Sequence, residues 1–207
     1  MKKLLVLAAL ILAAAPMAFA GNADAGQGKS AVCAACHNAD GNSTTPIWPK
    51  LAGQNESYLI KQLKDFKKGM ETQGKAGRFE VTMAPMAATL ATDADIADVA
   101  AFFAKQKTQF GAAKKAGLEA GKKLYNGGDT AKSIPACTAC HAPNGAGMAA
   151  AGFPRIGGQH VDYTLKTLKD FRTGARANDA NSVMRDIAKK LSDEQMAAVA
   201  NYLSGLH

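Results

Sequence analysis

Cys-X-X-Cys-His occurs twice in the chain, as Cys33-Ala34-Ala35-Cys36-His37 and as Cys137-Thr138-Ala139-Cys140-His141. This spacing suits covalent attachment of a c-type haem. Two thiols add as thioethers to the vinyl groups of one porphyrin, and the histidine that follows takes one axial position on the iron. Together the motifs use all four cysteines of the sequence. Other thiol chemistries fit less well. A redox-active pair normally follows a strand in a βαβ pattern, and no strand-alternating segment precedes either motif. A structural zinc needs four ligands in one place, whereas the pairs lie about a hundred residues apart. The residues therefore imply two covalently bound haem c groups per chain, attached through Cys33, Cys36, Cys137 and Cys140, with His37 and His141 as axial ligands.

The second axial position decides between bond-making chemistry and electron transfer. A methionine or second histidine closes the iron, while an empty position leaves it open to peroxide or oxygen. An internal repeat sorts the candidates. Met83-Ala84-Pro85-Met86 runs in register with Met184-Arg185-Asp186-Ile187, so only the first position is methionine in both copies. Met83 and Met184 are the expected ligands, with Met86 as the alternative in the first half. Methionine more often fills gaps in a core; Met70, Met148 and Met196 have no methionine counterpart in the other half and read as packing or surface residues. His160 aligns with Asn55 and His207 ends the chain, so both read as surface histidines. A thioether ligand favours ferrous iron and raises the potential relative to bis-histidine ligation. An axial imidazole is usually oriented by a carbonyl that accepts from its free N–H. The chain near Pro49 and Pro154 could supply that carbonyl, or these could be ordinary loop prolines.

The elements that must position these groups repeat as well. Pro49-Lys50-Leu51-Ala52-Gly53-Gln54 matches Pro154-Arg155-Ile156-Gly157-Gly158-Gln159. Tyr58, Leu63, Lys64-Asp65-Phe66 and Gly69 match Tyr163, Leu168, Lys169-Asp170-Phe171 and Gly174. A helix closes each half, with Ile96, Val99, Ala100 and Phe103, and then Met196, Val199, Ala200 and Leu203, at helical spacing. Ser192 with Gln195 forms a capping box, and Thr92 with Asp95 a weaker one. A middle helix is predicted over about 55–68 and 161–172, and a short helix leads into each motif. The main length difference, 126–135, is an insertion rich in Gly and polar residues. The halves meet near 108–115, which sets domains at 21–110 and 111–207. Each half is small for an independent core, so the haem is expected to supply apolar mass that the apoprotein lacks.

Residues 1–20 read as an export signal, with Lys2 and Lys3, an apolar run from Leu4 to Ala15 and the cleavage sequence Ala18-Phe19-Ala20. Export agrees with haem attachment outside the cytoplasm and places the expected product in the periplasm. The mature chain would carry 23 basic against 17 acidic side chains, a net +6. Such a surface suits acidic partner proteins or anionic membranes. No basic-aromatic motif points to nucleic acid.

These features closely resemble the cytochrome c4 family. The marks are the paired motifs, Pro49 to Gln54, Gly-Phe-Pro-Arg-Ile-Gly-Gly-Gln-His at 152–160, Lys-Asp-Phe-Arg-Thr-Gly at 169–174, and the ending Tyr-Leu-Ser-Gly-Leu-His. The resemblance implies an all-α chain of two tandem class I cytochrome c domains related by a pseudo-twofold axis, with haem propionates facing across the interface. It places the ligating methionines on Met83 and Met184. It also implies a monomeric periplasmic electron carrier of a respiratory chain, not an enzyme. The expected donor is of the cytochrome bc1 type, the acceptor is a terminal oxidase or reductase, and peripheral membrane association is possible. A di-haem peroxidase or an electron-accepting subunit of a larger redox complex is the alternative. The family's opposed charge between halves is mild here. Residues 21–112 carry 10 basic and 9 acidic side chains, and residues 113–207 carry 13 and 8.

Overall fold

The computed structural model describes residues 21–207; the expected signal sequence lies outside the described residues. The first half contains α1 (Ala23–Lys29), α2 (Ala31–His37), α3 (Glu56–Glu71), α4 (Met83–Ala88) and α5 (Asp93–Lys105). The second contains α6 (Leu118–Gly127), α7 (Thr138–His141), α8 (Val161–Thr173), α9 (Val183–Lys190) and α10 (Asp193–Ser204). Among the described residues there is no strand, only the isolated bridges Asp129–Ile134 and Met148–Phe153. The chain is all-α, as expected.

The closing helices start where the sequence places them. Ser192 accepts from the Gln195 N–H while the Gln195 side chain accepts from the Ser192 N–H. Thr92 and Asp95 make the same reciprocal pair, so the box expected to be weaker is complete. Its carboxylate also accepts from Lys29 at 2.7 Å, which ties α5 to the end of α1. The Lys29 ammonium, with Thr92, holds Asp95 down to about 2.

Each half has its own core. Leu59, Leu90, Ile96, Val99, Phe102 and Phe103 pack in the first. Leu124, Tyr125, Phe171, Leu191, Met196, Val199 and Leu203 pack in the second, where Ile134 joins them. The insertion is therefore not only a loop, because it delivers a side chain that is 3 % exposed. Burying a side chain of this size contributes roughly 1.5–3 kcal/mol.

One crossing recurs. α1 packs on α5 and α6 on α10, and each contact is made over a glycine. A Cβ at Gly26 would lie 2.0 Å from the Asp98 carbonyl oxygen, and one at Gly121 would lie 2.2 Å from that of Ala198. These are backbone neighbours and cannot step aside. The crossing fixes the helix that leads directly, in the first half, into α2 with Cys33, Cys36 and His37.

Candidate functional site

In α2 the residues at i, i+3 and i+4 share a face, which brings Cys33, Cys36 and His37 together; α7 does the same for Cys140 and His141, with Cys137 at its N-cap. All four thiols are free and half-buried. Burial pushes the Cys33 thiol up and the Cys137 thiol up to about 11. Among the described residues no three His, Cys, Asp or Glu side chains gather as a metal-binding group.

His37 and His141 are buried, 3 % and 7 % exposed. Their Nδ1 atoms lie 2.8 Å from the Pro49 carbonyl oxygen and 3.0 Å from that of Pro154. A carbonyl only accepts, so Nδ1 carries the proton in both rings and the Nε2 lone pair is left for a metal. Burial lowers both histidines from their ordinary pKa, which favours the neutral, ligating form. Directly after each ring the backbone turns through positive φ, at Asn38 (62°) and Ala142 (64°), with ψ at 160° in both. This region is nearly restricted to glycine and costs about 1–3 kcal/mol. Its recurrence at equivalent positions ties the strain to presentation of the histidine. Tyr125, fully buried, donates to the Ala142 carbonyl at 2.5 Å and braces the second turn.

Met83 opens α4, and Met184 is the second residue of α9; both are half-buried. Met86, the alternative, is 39 % exposed. Carboxylates capture both helix starts. Glu80 accepts from the Thr82 and Met83 N–H groups at 2.9 and 2.8 Å. Asp179 accepts from the Arg185 N–H at 3.0 Å and pairs with its guanidinium at 2.7 Å. Neither carboxylate is marked by the repeat.

The halves meet through reciprocal bonds. Gln159 accepts from the Lys50 N–H at 2.9 Å and donates to the Lys50 carbonyl at 3.0 Å. Gln54 does the same to Arg155, both bonds 2.8 Å long. Asn55 donates to the Phe153 carbonyl at 2.8 Å, and His160, its counterpart, lies 2.7 Å from the Ser43 carbonyl oxygen. His160 is thus an interface residue rather than the surface histidine expected, because the middle helix that it precedes starts at the domain contact. His207 is exposed at the chain end, its ring 5.4 Å from that of Phe110.

Sequence reasoning missed a further group at this interface. Arg78 stacks on Phe66 and Arg176 on Phe171, with guanidinium-to-centroid distances of 4.7 and 4.6 Å. Arg176 is 5 % exposed and donates across the interface to the Tyr58 hydroxyl at 2.7 Å and to Gln62 at 3.0 Å. Arg78 donates to the same Gln62 oxygen at 3.0 Å. Burial would raise the Tyr163 hydroxyl, but Arg78 and Arg176 outweigh it and hold it below the usual tyrosine range. Among the described residues neither arginine pairs with a carboxylate. Buried cations are normally compensated, so this donor set fits an anionic group such as a haem propionate.

Two tandem helical domains, each offering a buried, neutral histidine and a cysteine pair on one helical turn, define a c-type cytochrome with two haem sites. The Cytochrome c family model matches residues 23–107 and 118–207. Cytochrome c4 of Azotobacter vinelandii is 50% identical over 211 residues, covering 100% of both chains. That of Pseudomonas aeruginosa is 48% identical over 209 residues, again covering 100% of each. The crystal structure of reduced recombinant cytochrome c4 from Pseudomonas stutzeri superposes with a TM-score of 0.88 at 50% identity, covering 91% of this chain and 100% of that one. The chain belongs to the cytochrome c4 family of electron-transfer proteins and carries two haem c groups. Among the described residues no helix is long and apolar enough to cross a membrane.

Proposed function

We propose that the chain shuttles single electrons between periplasmic redox proteins of a respiratory chain, taking them from a cytochrome bc1-type donor and passing them to a terminal oxidase or reductase. Cys33 and Cys36 hold one haem and Cys137 and Cys140 the other. His37 with Met83, and His141 with Met184, complete the two irons. Each haem supplies reversible one-electron exchange at iron. The chain's residues keep that exchange free of side chemistry. The histidines are locked in one tautomer by Pro49 and Pro154. Glu80 and Asp179 fix the helix starts that carry the methionines, and Arg78 and Arg176 would hold propionates at the interface. With both axial positions filled in both halves, the protein is a carrier rather than a peroxidase.

What supports this reading is that a buried histidine and a half-buried methionine, the residues proposed as ligands, recur in two halves of equivalent architecture. The domains are taken as 21–110 and 111–207, preceded by a cleaved export signal at 1–20. The carrier is read as a monomer whose net positive surface permits peripheral contact with anionic membranes. The test is haem content and optical spectra of the purified protein in both oxidation states. Two covalent haems per chain, with the far-red band of methionine-ligated ferric iron at full strength, are expected. A high-spin fraction, or peroxide turnover by the reduced protein, would overturn it.

A further inference from the structure

One peptide group in each half touches two things at once. The carbonyl of the Pro49–Lys50 peptide accepts from His37 Nδ1 at 2.8 Å. The N–H of the same peptide donates to Gln159 of the other half at 2.9 Å. In the second half the Pro154–Arg155 peptide accepts from His141 at 3.0 Å and donates to Gln54 at 2.8 Å. Both glutamines are pinned in turn. The Gln159 oxygen also accepts from the His160 N–H at 3.0 Å, and the Gln54 oxygen from the Asn55 N–H at 2.9 Å. Gln54 is 7 % exposed.

We propose that Gln54 and Gln159 are positioning residues that act crosswise, each setting the orientation and hydrogen-bond strength of the axial histidine in the opposite domain. This rests on the assignment of His37 and His141 as axial ligands. A peptide is a conjugated dipole. An acceptor on its N–H draws electron density toward its carbonyl oxygen, and chained hydrogen bonds strengthen one another by about 10–30% per bond. A stronger carbonyl acceptor draws the Nδ1 proton and makes the Nε2 lone pair more electron-rich. That favours ferric iron and lowers the potential. Each domain therefore contributes to the redox poise of the other through a single amide side chain, with no charged group in the chain of bonds.

The experiment compares the full-length holoprotein with Gln159→Leu and Gln54→Leu. Individual midpoints are followed through the hyperfine-shifted methyl signals of each haem. Gln159→Leu should raise the potential of the first-half haem, changing its ferric-to-ferrous ratio at fixed potential by about threefold, which is ~28 mV for a one-electron couple. The second-half haem should stay in place, and Gln54→Leu should give the mirror result. Gln159→Glu and Gln54→Glu keep the acceptor and serve if a leucine variant fails to fold. They should lower the potential, most strongly at the opposite haem. Shifts confined to the same-domain haem, equal shifts at both, or no shift with the far-red band retained would overturn the proposal. Loss or misplacement of histidine ligation already in the parent protein would instead overturn the ligand assignment.

Discussion

Two glycines of α1, two residues apart, should respond to alanine in opposite directions. Gly26 is buried where α1 crosses α5, and an added Cβ would meet the Asp98 carbonyl oxygen at 2.0 Å, its carbon at 2.5 Å and the Phe102 Cβ at 2.9 Å. Gly28 is exposed, with nothing within 4 Å of an added Cβ. Both lie within the helix, where alanine is favoured over glycine by about 0.8–1 kcal/mol. Gly28→Ala should gain most of that. Gly26→Ala gains it too but must separate two backbones, an overpacking cost of about 1–3 kcal/mol or more, so its net effect is destabilising. The variants should differ by about 1–3 kcal/mol. At roughly 4–8 °C per kcal/mol for a domain of this size, the first-half unfolding transition should differ by about 4–24 °C between them. Thermal unfolding of the holoprotein, followed by circular dichroism with the Soret band as a second probe, measures it. Equal melting temperatures for the two variants would refute the close crossing and its anchoring of the turn that carries Cys33, Cys36 and His37.

The methionine assignment separates three variants: Met86→Leu should leave both haem spectra unchanged, while Met83→Leu and Met184→Leu should each remove half of the far-red absorbance. Asp95, held down to about 2 chiefly by Lys29, contributes stability that is full above the ordinary aspartate pKa and lost as pH falls through about 2. Asp95→Asn should therefore melt below the parent at pH 6, and the gap should close between pH 4 and pH 2 in a series of thermal scans. Lys189 and Lys190 sit at the end of α9 in the more basic half. Converting both to glutamate should slow electron transfer with an acidic partner by up to about tenfold at low salt and much less at high salt, read by stopped-flow at varied ionic strength.

The closing helices were legible because two independent signals coincide in them, apolar spacing and a capping box. The cysteine and histidine assignments rest on spacing that is itself the chemistry. The proposal of Met83 and Met184 rests on the internal repeat, since a lone methionine signals only packing. The repeat failed for Arg78 and Arg176. Gly69 and Gly174 align, as do Met83 and Met184, but the intervening segments differ in length, so neither register pairs the two arginines. Gln54 and Gln159 stood in plain view within a matched motif. Their role was hidden because each binds main-chain atoms about a hundred residues away, and backbone partners leave no trace in residue type. Glu80 and Asp179 were hidden because each caps a main-chain N–H only two to six residues along the chain, a contact that residue type alone does not mark.

That reliance on main-chain atoms bears on how the two halves could grow apart after duplication. The glutamines grip the peptide groups of Lys50 and Arg155, and Asn55 and His160 reach the carbonyls of Phe153 and Ser43. Mutation can change what those four side chains are without touching what is gripped. The junction is thus insulated from drift in many of the residues that surround it. One half could stay near neutral while the other gathered positive charge, each free to specialise toward a different partner, with the geometry between the two redox centres inherited unchanged.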